Sequence, residues 1–483
     1  MLASEEPRPQ PQPAPQGDSR GRIAAAVVLL GLAALGLTAE VVVSTATDAG
    51  RAQMRTHQAR MDLFQGRVVL GLTYYLEGLE SDRSFALRQR KAAGRFARMG
   101  VQSAAAYFQR AAQGLQDPQE HTAAIASAAA LYAHGGDTMR ALRVLQGSLD
   151  IGRRDVLSLL AQLYANNRLT QEWLVSEAAA WIPQRVPAHL LIESQIAVSG
   201  GRVQRDLELR RSMFEAGVRL VKRVGALMAG FIALMLLGVG VLLWGILRRA
   251  GFGPYHGLPE RPWGAWAGLE LVGAWLVLST LVAGGTLAFA RRLGTTGVIA
   301  AILASYIAAS VLALWWFAAA VAPPGTGLRT AGWRRLSVAK SIAHGIGAYA
   351  AALPLAMAAV VVASRLLPAP PVNLLVAEMT RAHGLAARAL LLVLLCVAAP
   401  VVEETVFRGA LYGGMRKRWT MPVAALASAV VFALVHLNWV SFVPVLVLGV
   451  ALCVVYERTG SLLPGMVAHG LFNFATAVAL FLL

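Results

Sequence analysis
Charge is scarce in this chain of 483 residues. Asp, Glu, Lys and Arg make up 14% of it, against about 25% in a soluble globular domain, while hydrophobic residues make up 57% and mean hydropathy is +0.56. That composition excludes a disordered or collagen-like chain and points to a polytopic membrane protein. Aspartate is absent after Asp206, so the long apolar C-terminal part cannot hold an intramembrane site built on two aspartates. From Gly251 onward the acids are Glu260, Glu270, Glu378, Glu403, Glu404 and Glu457. The two cysteines, Cys396 and Cys453, both lie in apolar runs, which excludes a disulfide-stapled secreted domain. There is no HExxH for zinc on one helix face, no GxSxG turn for a serine nucleophile and no GxxxxGK[ST] loop for a nucleotide. Lys and Arg outnumber Asp and Glu by 44 to 26. Most of these cations flank apolar segments, so membrane topology accounts for the excess and no nucleic-acid partner is required.

Five regions follow from composition. Residues 1–22 form a Pro/Gln-rich tail too polar to fold. Residues 23–46 contain an apolar run, Ile23–Val43, long enough to anchor the chain in a bilayer. Residues 51–222 are charged, rich in Ala and Leu, and helical by period: Leu142, Leu145 and Leu149 recur three and four apart, as do Leu157, Leu160 and Tyr164. Within them Leu131–Leu145 reads as a helix end, a Gly-Gly-Asp turn and a new helix. The triplet Leu131-Tyr132-Ala133 returns as Leu163-Tyr164-Ala165, close to the period of about 34 of tetratricopeptide pairs. The expected module is tetratricopeptide-like; an ordinary helical bundle is the alternative. Residues 224–340 hold the first of a rapid series of spans, and 341–483 hold the remainder. The runs are Val224–Leu247, Gly264–Phe289, Gly297–Val321, Ser341–Ala363, Ala387–Val402, Met421–Leu437, Val440–Val455 and Pro464–Leu483. The expected fold is therefore an all-α polytopic bundle of about eight to nine transmembrane helices, with a soluble helical domain between the first and second.

Basic residues favour cytoplasmic loops. The loop after Val321 carries Arg329, Arg334, Arg335 and Lys340, and the one after Val402 carries Arg408, Arg416, Lys417 and Arg418. The opposite loops hold Arg291, Arg292, Arg365, Arg381 and Arg388. This distribution puts the tail inside and residues 51–222 outside; the expected location is the cytoplasmic membrane of a bacterium. Arg219, Lys222 and Arg223, crowding the domain side of the second span, run against it.

Three short patterns could carry chemistry. In VVEETVFRG, Glu404 and Arg408 are four apart and can pair on one helix face, while Glu403 points about 100° away and is left to take a proton. Alone, this pattern equally fits an interfacial charge cluster. In FALVH, Phe432 and His436 are four apart inside an uncharged span; a lone His there also fits simple packing. In HGLFN, His469 and Asn473 stack on one face, where interhelical hydrogen bonding is the plain alternative. Converging Glu, His, His and Asn in a bilayer can make a proton pathway, a metal site or a hydrolytic site.

The EExxxR, FxxxH and HxxxN motifs, with a TGSLLPG turn at Thr459–Gly465, are together similar to the CPBP family. These are intramembrane proteases related to the eukaryotic CAAX prenyl endopeptidase, also called the ABI family. The resemblance covers roughly Gly327–Leu483 and no motif residue departs from it. It implies peptide-bond hydrolysis in a cavity within the membrane that opens towards the cytosol. Carried over, Glu403 and His436 activate water, His469 and Asn473 stabilise the oxyanion, and Glu404, Arg408 and Phe432 support them. The family has been described both as zinc-dependent and as glutamate-dependent. Glu403, His436 and His469 could bind zinc with one position left for water, and the reading adopted is an enzyme without a tightly held metal. A peptide or membrane protein is the implied substrate, and residues 51–222 could bind a protein partner. Two other classes stay open: a non-catalytic membrane scaffold that works through the helical domain, and an ion transporter, for which carboxylates in the other spans are few.

Overall fold
The computed structural model describes residues 20–46, 48–166, 177–247, 258, 262–290, 293–321, 328–333, 336–366, 384–436 and 439–481. The disordered-tail expectation therefore falls outside the described residues for 1–19, as do Arg291, Arg292, Arg334, Arg335 and Arg381 of the charge argument. The described residues form helices joined by turns, bends and short irregular stretches, with no strand among them. The chain divides into two compact units, residues 46–232 and residues 1–45 with 233–481.

The helical unit contains α2 (Asp48–Ser81), α3 (Leu87–Gly114), α4 (Pro118–His134), α5 (Thr138–Gln146), α6 (Arg154–Asn166), α7 (Glu177–Arg185), α8 (His189–Ser199) and the first part of α9 (Val203–Leu247). The Gly-Gly-Asp turn works as a break for three separable reasons. Gly136 takes φ +85°, Asp137 caps α5 by accepting the Arg140 N–H, and the Gly135 N–H closes α4 on the Leu131 carbonyl. Tyr132, in the last turn of α4, donates its hydroxyl to Gln109, and Tyr164, in the last turn of α6, donates to Gln195. Leu131, Leu145, Leu157 and Leu160 are fully buried in one core with Phe108.

The membrane unit contains α1 (Arg20–Ala46), the rest of α9, α10 (Ala265–Ala290), α11 (Gly294–Trp316, continued by a π turn Phe317–Val321), α12 (Val338–Leu366), α13 (Leu385–Met415), α14 (Met421–Leu434), α15 (Trp439–Thr459) and α16 (Leu463–Phe481). Among the described residues six helices are long and apolar enough to cross a membrane, namely those in α9, α10, α11, α12, α13 and α15. Two further apolar helices, Gly21–Leu35 and Met421–Leu434, are shorter. The 14 residues of α14 rise about 21 Å at 1.5 Å each, less than the roughly 30 Å of a hydrocarbon core. His436 thus follows a helix that stops short of a full crossing.

One correction concerns α13. The expected span ended at Val402, with Arg408 in a loop. The helix instead runs to Met415 through π-helical turns at Leu394–Ala398 and Glu404–Tyr412, and Arg408 within it is completely buried. Pairing of Glu404 with Arg408 neutralises the charges that seemed to end the span, so the apolar helix continues through them.

One end of the membrane unit is laced by polar contacts. Arg22 of α1 donates to the Val321 carbonyl and pairs with Glu270 at 3.7 Å. Trp263 donates to the Ala410 carbonyl, Tyr456 to the Ala331 carbonyl, and the Leu462 N–H to the Gly332 carbonyl. Arg416 forms an ion pair with Glu457 at 2.8 Å, and Glu457 also accepts the Tyr412 hydroxyl. The starts of α1, α10 and α16 and the ends of α11, α13 and α15 therefore meet at one end, as alternating crossings require.

Candidate active site
The chemistry-bearing residues come from α11, α13, α14 and α16. Glu404 is fully buried in α13 and its Oε1 accepts from Arg408 Nη1 at 3.0 Å. Such a pair is sustained inside apolar surroundings only when further hydrogen bonds satisfy it. Here Arg408 Nη2 also donates to the Gly449 carbonyl at 3.3 Å, and the guanidinium lies 4.3 Å over the Phe432 ring. The expected Glu404–Arg408 pair is thus formed, four residues apart and shielded from water.

The expectation that Glu403 and Glu404 occupy separate surroundings needs correcting. The imidazole of His469, buried on α16, spans both. Its Nδ1 donates to Glu404 Oε1 at 3.1 Å while its Nε2 stands 3.7 Å from Glu403 Oε2. Helical geometry separates the two side chains by direction, but a ring with nitrogens at two corners bridges them from the facing helix. Gly465 and Gly470 allow that approach. A Cβ on Gly465 would come within 3.0 Å of Glu404 Oε2, and one on Gly470 within 2.7 Å of the Cys396 carbonyl oxygen.

Glu403 has one oxygen held and one open. Tyr306 of α11 donates its hydroxyl to Oε1 at 3.3 Å, while Oε2 is buried without a hydrogen-bond partner. Tyr306 is a residue the motifs do not contain. It is steadied by α10: Trp275 packs edge-to-face on its ring, and the indole N–H donates to Ser310, whose hydroxyl returns to the Tyr306 carbonyl. Nothing in the apolar run GVIAAILASYIAAS distinguishes this tyrosine from packing, and only the three-dimensional approach to Glu403 does.

His436 follows α14. Its Nδ1 is 2.7 Å from the Phe432 carbonyl, which can only accept, so that nitrogen carries the proton and Nε2 is left as the basic atom. Phe432 is the hub: its ring meets His436 at 4.9 Å, His469 at 5.6 Å and Phe407 at 5.0 Å between centroids, each near perpendicular. Asn473 stands one turn beyond His469 on α16, and its side-chain amide donates to the Leu395 carbonyl at 2.8 Å, in the first π turn of α13. Glu403, Glu404, Arg408, Phe432, His436 and His469 are therefore one cluster. Asn473 adjoins it with its hydrogen bond directed to the backbone of α13.

For zinc to be held by Glu403, His436 and His469, the three donors would have to converge on a point about 2 Å from each. Among the described residues no three His, Cys, Asp or Glu side chains are so arranged. His436 Nδ1 and His469 Nδ1 are committed to protein acceptors, and Glu403 Oε1 accepts from Tyr306. These bonds leave Nε2 of both imidazoles and Glu403 Oε2 over, and a hydrogen bond at the far ring nitrogen is also what a metal-ligating His makes.

Residues 385–475 match the model of one protein family, described as type II CAAX prenyl endopeptidase Rce1-like. The match begins with α13 and takes in all three motifs, but neither Tyr306 nor the helical unit. No curated protein and no solved structure shows a match.

Proposed function
On the premise that the chain belongs to the CPBP family through its Rce1-like domain at residues 385–475, we propose that it hydrolyses a peptide bond of a membrane-associated substrate with water activated by Glu403 and His436. It is an integral, multi-pass membrane protein. The observation that carries the proposal is the open oxygen of Glu403. It is buried, without a hydrogen-bond partner, beside His469, and backed by a neutralised Glu404–Arg408 pair.

The chemistry runs as follows. Glu403 Oε2 takes a proton from a water molecule, aided by Nε2 of His436, as the water oxygen attacks the substrate carbonyl. The carbonyl electron pair moves onto oxygen. His469, whose Nε2 must then carry a proton as well as the Nδ1 that donates to Glu404, and the second amide N–H of Asn473 donate to that oxyanion, a contribution of a few kcal/mol per donor in a site closed to water. The intermediate then collapses, the C–N bond breaks, and Glu403 returns its proton to the leaving amine. Tyr306 holds the carboxylate so that Oε2 and not Oε1 meets the water. Glu404 and Arg408 orient His469 from behind, and Phe432 keeps the two imidazoles apart.

The cluster opens towards the cytosol of a bacterial cell in this reading, at the end where Arg22, Arg416, Lys417, Arg418 and Arg458 gather. The helical unit is a tetratricopeptide-like module that binds a protein. The test compares newly formed peptide termini in host membranes that carry the wild type or Glu403→Ala. A set of termini present only with the wild type is expected. Identical sets from both would contradict proteolysis by this site and leave the scaffold and the transporter readings.

A further inference from the structure
We propose that the helical unit carries a docking site for an acidic, extended peptide segment of a second protein, in the cavity walled by α3, α4 and α5. The cavity has a volume of about 780 Å3. Its polar lining is cationic. Arg140 and Arg143 lie one turn apart on α5, both border the cavity, and no carboxylate side chain pairs with either among the described residues. Asp137 is the one acid in the lining, and its carboxylate already accepts the Arg140 backbone N–H at 3.0 Å as the cap of α5.

Arg140 is set in place before any ligand arrives. Its guanidinium lies 4.4 Å over the Tyr132 ring, and the Tyr132 hydroxyl is tied to Gln109 Oε1, itself a lining side chain, at 2.7 Å. A guanidinium held this way loses little freedom on binding a carboxylate, which it can engage through two parallel hydrogen bonds. A third feature asks for a donor rather than an anion. His121 lines the same cavity and is 6% exposed. Its Nδ1 must donate to the Ala112 carbonyl at 2.9 Å, so its neutral ring has an acceptor at Nε2, and that atom is buried with no hydrogen-bond partner. An unpaired buried polar atom is costly, and a ligand N–H would relieve it.

Carboxylates for two arginines, an N–H for an imidazole and apolar surface for Ile125, Val144 and Ile151 are together offered by a peptide with acidic side chains. Inorganic phosphate offers only the first. The site lies entirely within residues 109–151, so the inference stands whether or not the membrane cluster is a protease.

The test is fluorescence anisotropy on the full-length protein in detergent micelles, with a short labelled peptide alternating leucine and glutamate. A twin with glutamine for glutamate is the charge control. The acidic peptide is expected to bind at least about tenfold more tightly than its twin, the effect of losing charge-assisted hydrogen bonds. Arg140→Glu with Arg143→Glu should remove that preference. Arg143→Glu alone, at an exposed side chain, should weaken binding several-fold with the melting temperature unchanged. Arg88→Glu, at an exposed residue away from the cavity, should leave binding unchanged. Equal binding of the two peptides, or equal loss from Arg88→Glu and Arg143→Glu, would overturn the proposal. So would full displacement by millimolar phosphate, which would mark a simple anion site.

Discussion
Glu403 and Glu404 share a sequence and almost share a contact, yet the fold assigns them different work. Arg408 and His469 both bond Oε1 of Glu404, whose side chain is 1% exposed, while the side chain of Glu403 is 14% exposed and only its Oε1 is held, by Tyr306; the Oε2 of each carboxylate has no hydrogen-bond partner. Arg408→Met should therefore behave as a folding mutation, because it leaves Glu404 buried without its cation, at a cost of about 3–5 kcal/mol. A sharp fall in folded yield and melting temperature is expected, and a variant that melts like the wild type would contradict the pairing. Tyr306→Phe should do the opposite. It keeps the ring against Trp275 and removes one hydrogen bond to a carboxylate, so kcat should fall about tenfold or more while KM and melting temperature stay near the wild-type values. Asn473→Ala should leave residual turnover, since one lost oxyanion donor costs about 3 kcal/mol; complete loss with normal folding would mean that Asn473 does more than donate. The motif residues were legible because Glu, His and Asn are conspicuous in apolar helices. Tyr306 was not, because its hydroxyl acquires meaning only when α11 is packed against α13.

The helices follow the apolar runs closely, and the departures have physical causes. The run ending at Val402 concealed a helix that continues to Met415, because window hydropathy counts Glu404 and Arg408 as two charges when the folded chain has one neutral pair. α14 is too short to cross, so the apparent span Met421–Leu437 delivers His436 part-way instead of completing a passage. Neither π turn of α13 had a sequence signal, although such turns gather at functional sites. The first of them supplies the Leu395 carbonyl that holds Asn473, next to the close approach of Gly470 to Cys396. Gly470→Val should push α16 away from α13 at this point. Turnover should drop further than in Asn473→Ala, together with a lower melting temperature; turnover equal to the wild type would show that the approach is not needed.

At the scale of the whole molecule, composition separated a charged helical unit from an apolar bundle, and the structure divides at residues 45/46 and 232/233. The second division falls inside α9, where helical period alone has no boundary to report. Orientation rests on the basic residues at one end of the bundle. Single cysteines at Lys417 and at Arg388, which lie at opposite ends of α13, provide its test. In intact cells a membrane-impermeant thiol reagent should label the second and spare the first; the reverse pattern inverts the topology.

The central claim is that Glu403 activates water for hydrolysis. Its most direct test is the turnover of a fluorogenic peptide, built on a cleavage found in host membranes, by purified wild type and by Glu403→Gln reconstituted in lipid. The amide keeps the size of the side chain and its capacity to accept from Tyr306, but it cannot take the proton. Turnover by Glu403→Gln should fall below about a thousandth of the wild type, a loss within the range attributed to general base catalysis, with unchanged melting temperature. Retention of more than about a tenth of the wild-type rate, well above what loss of a general base allows, would contradict the account.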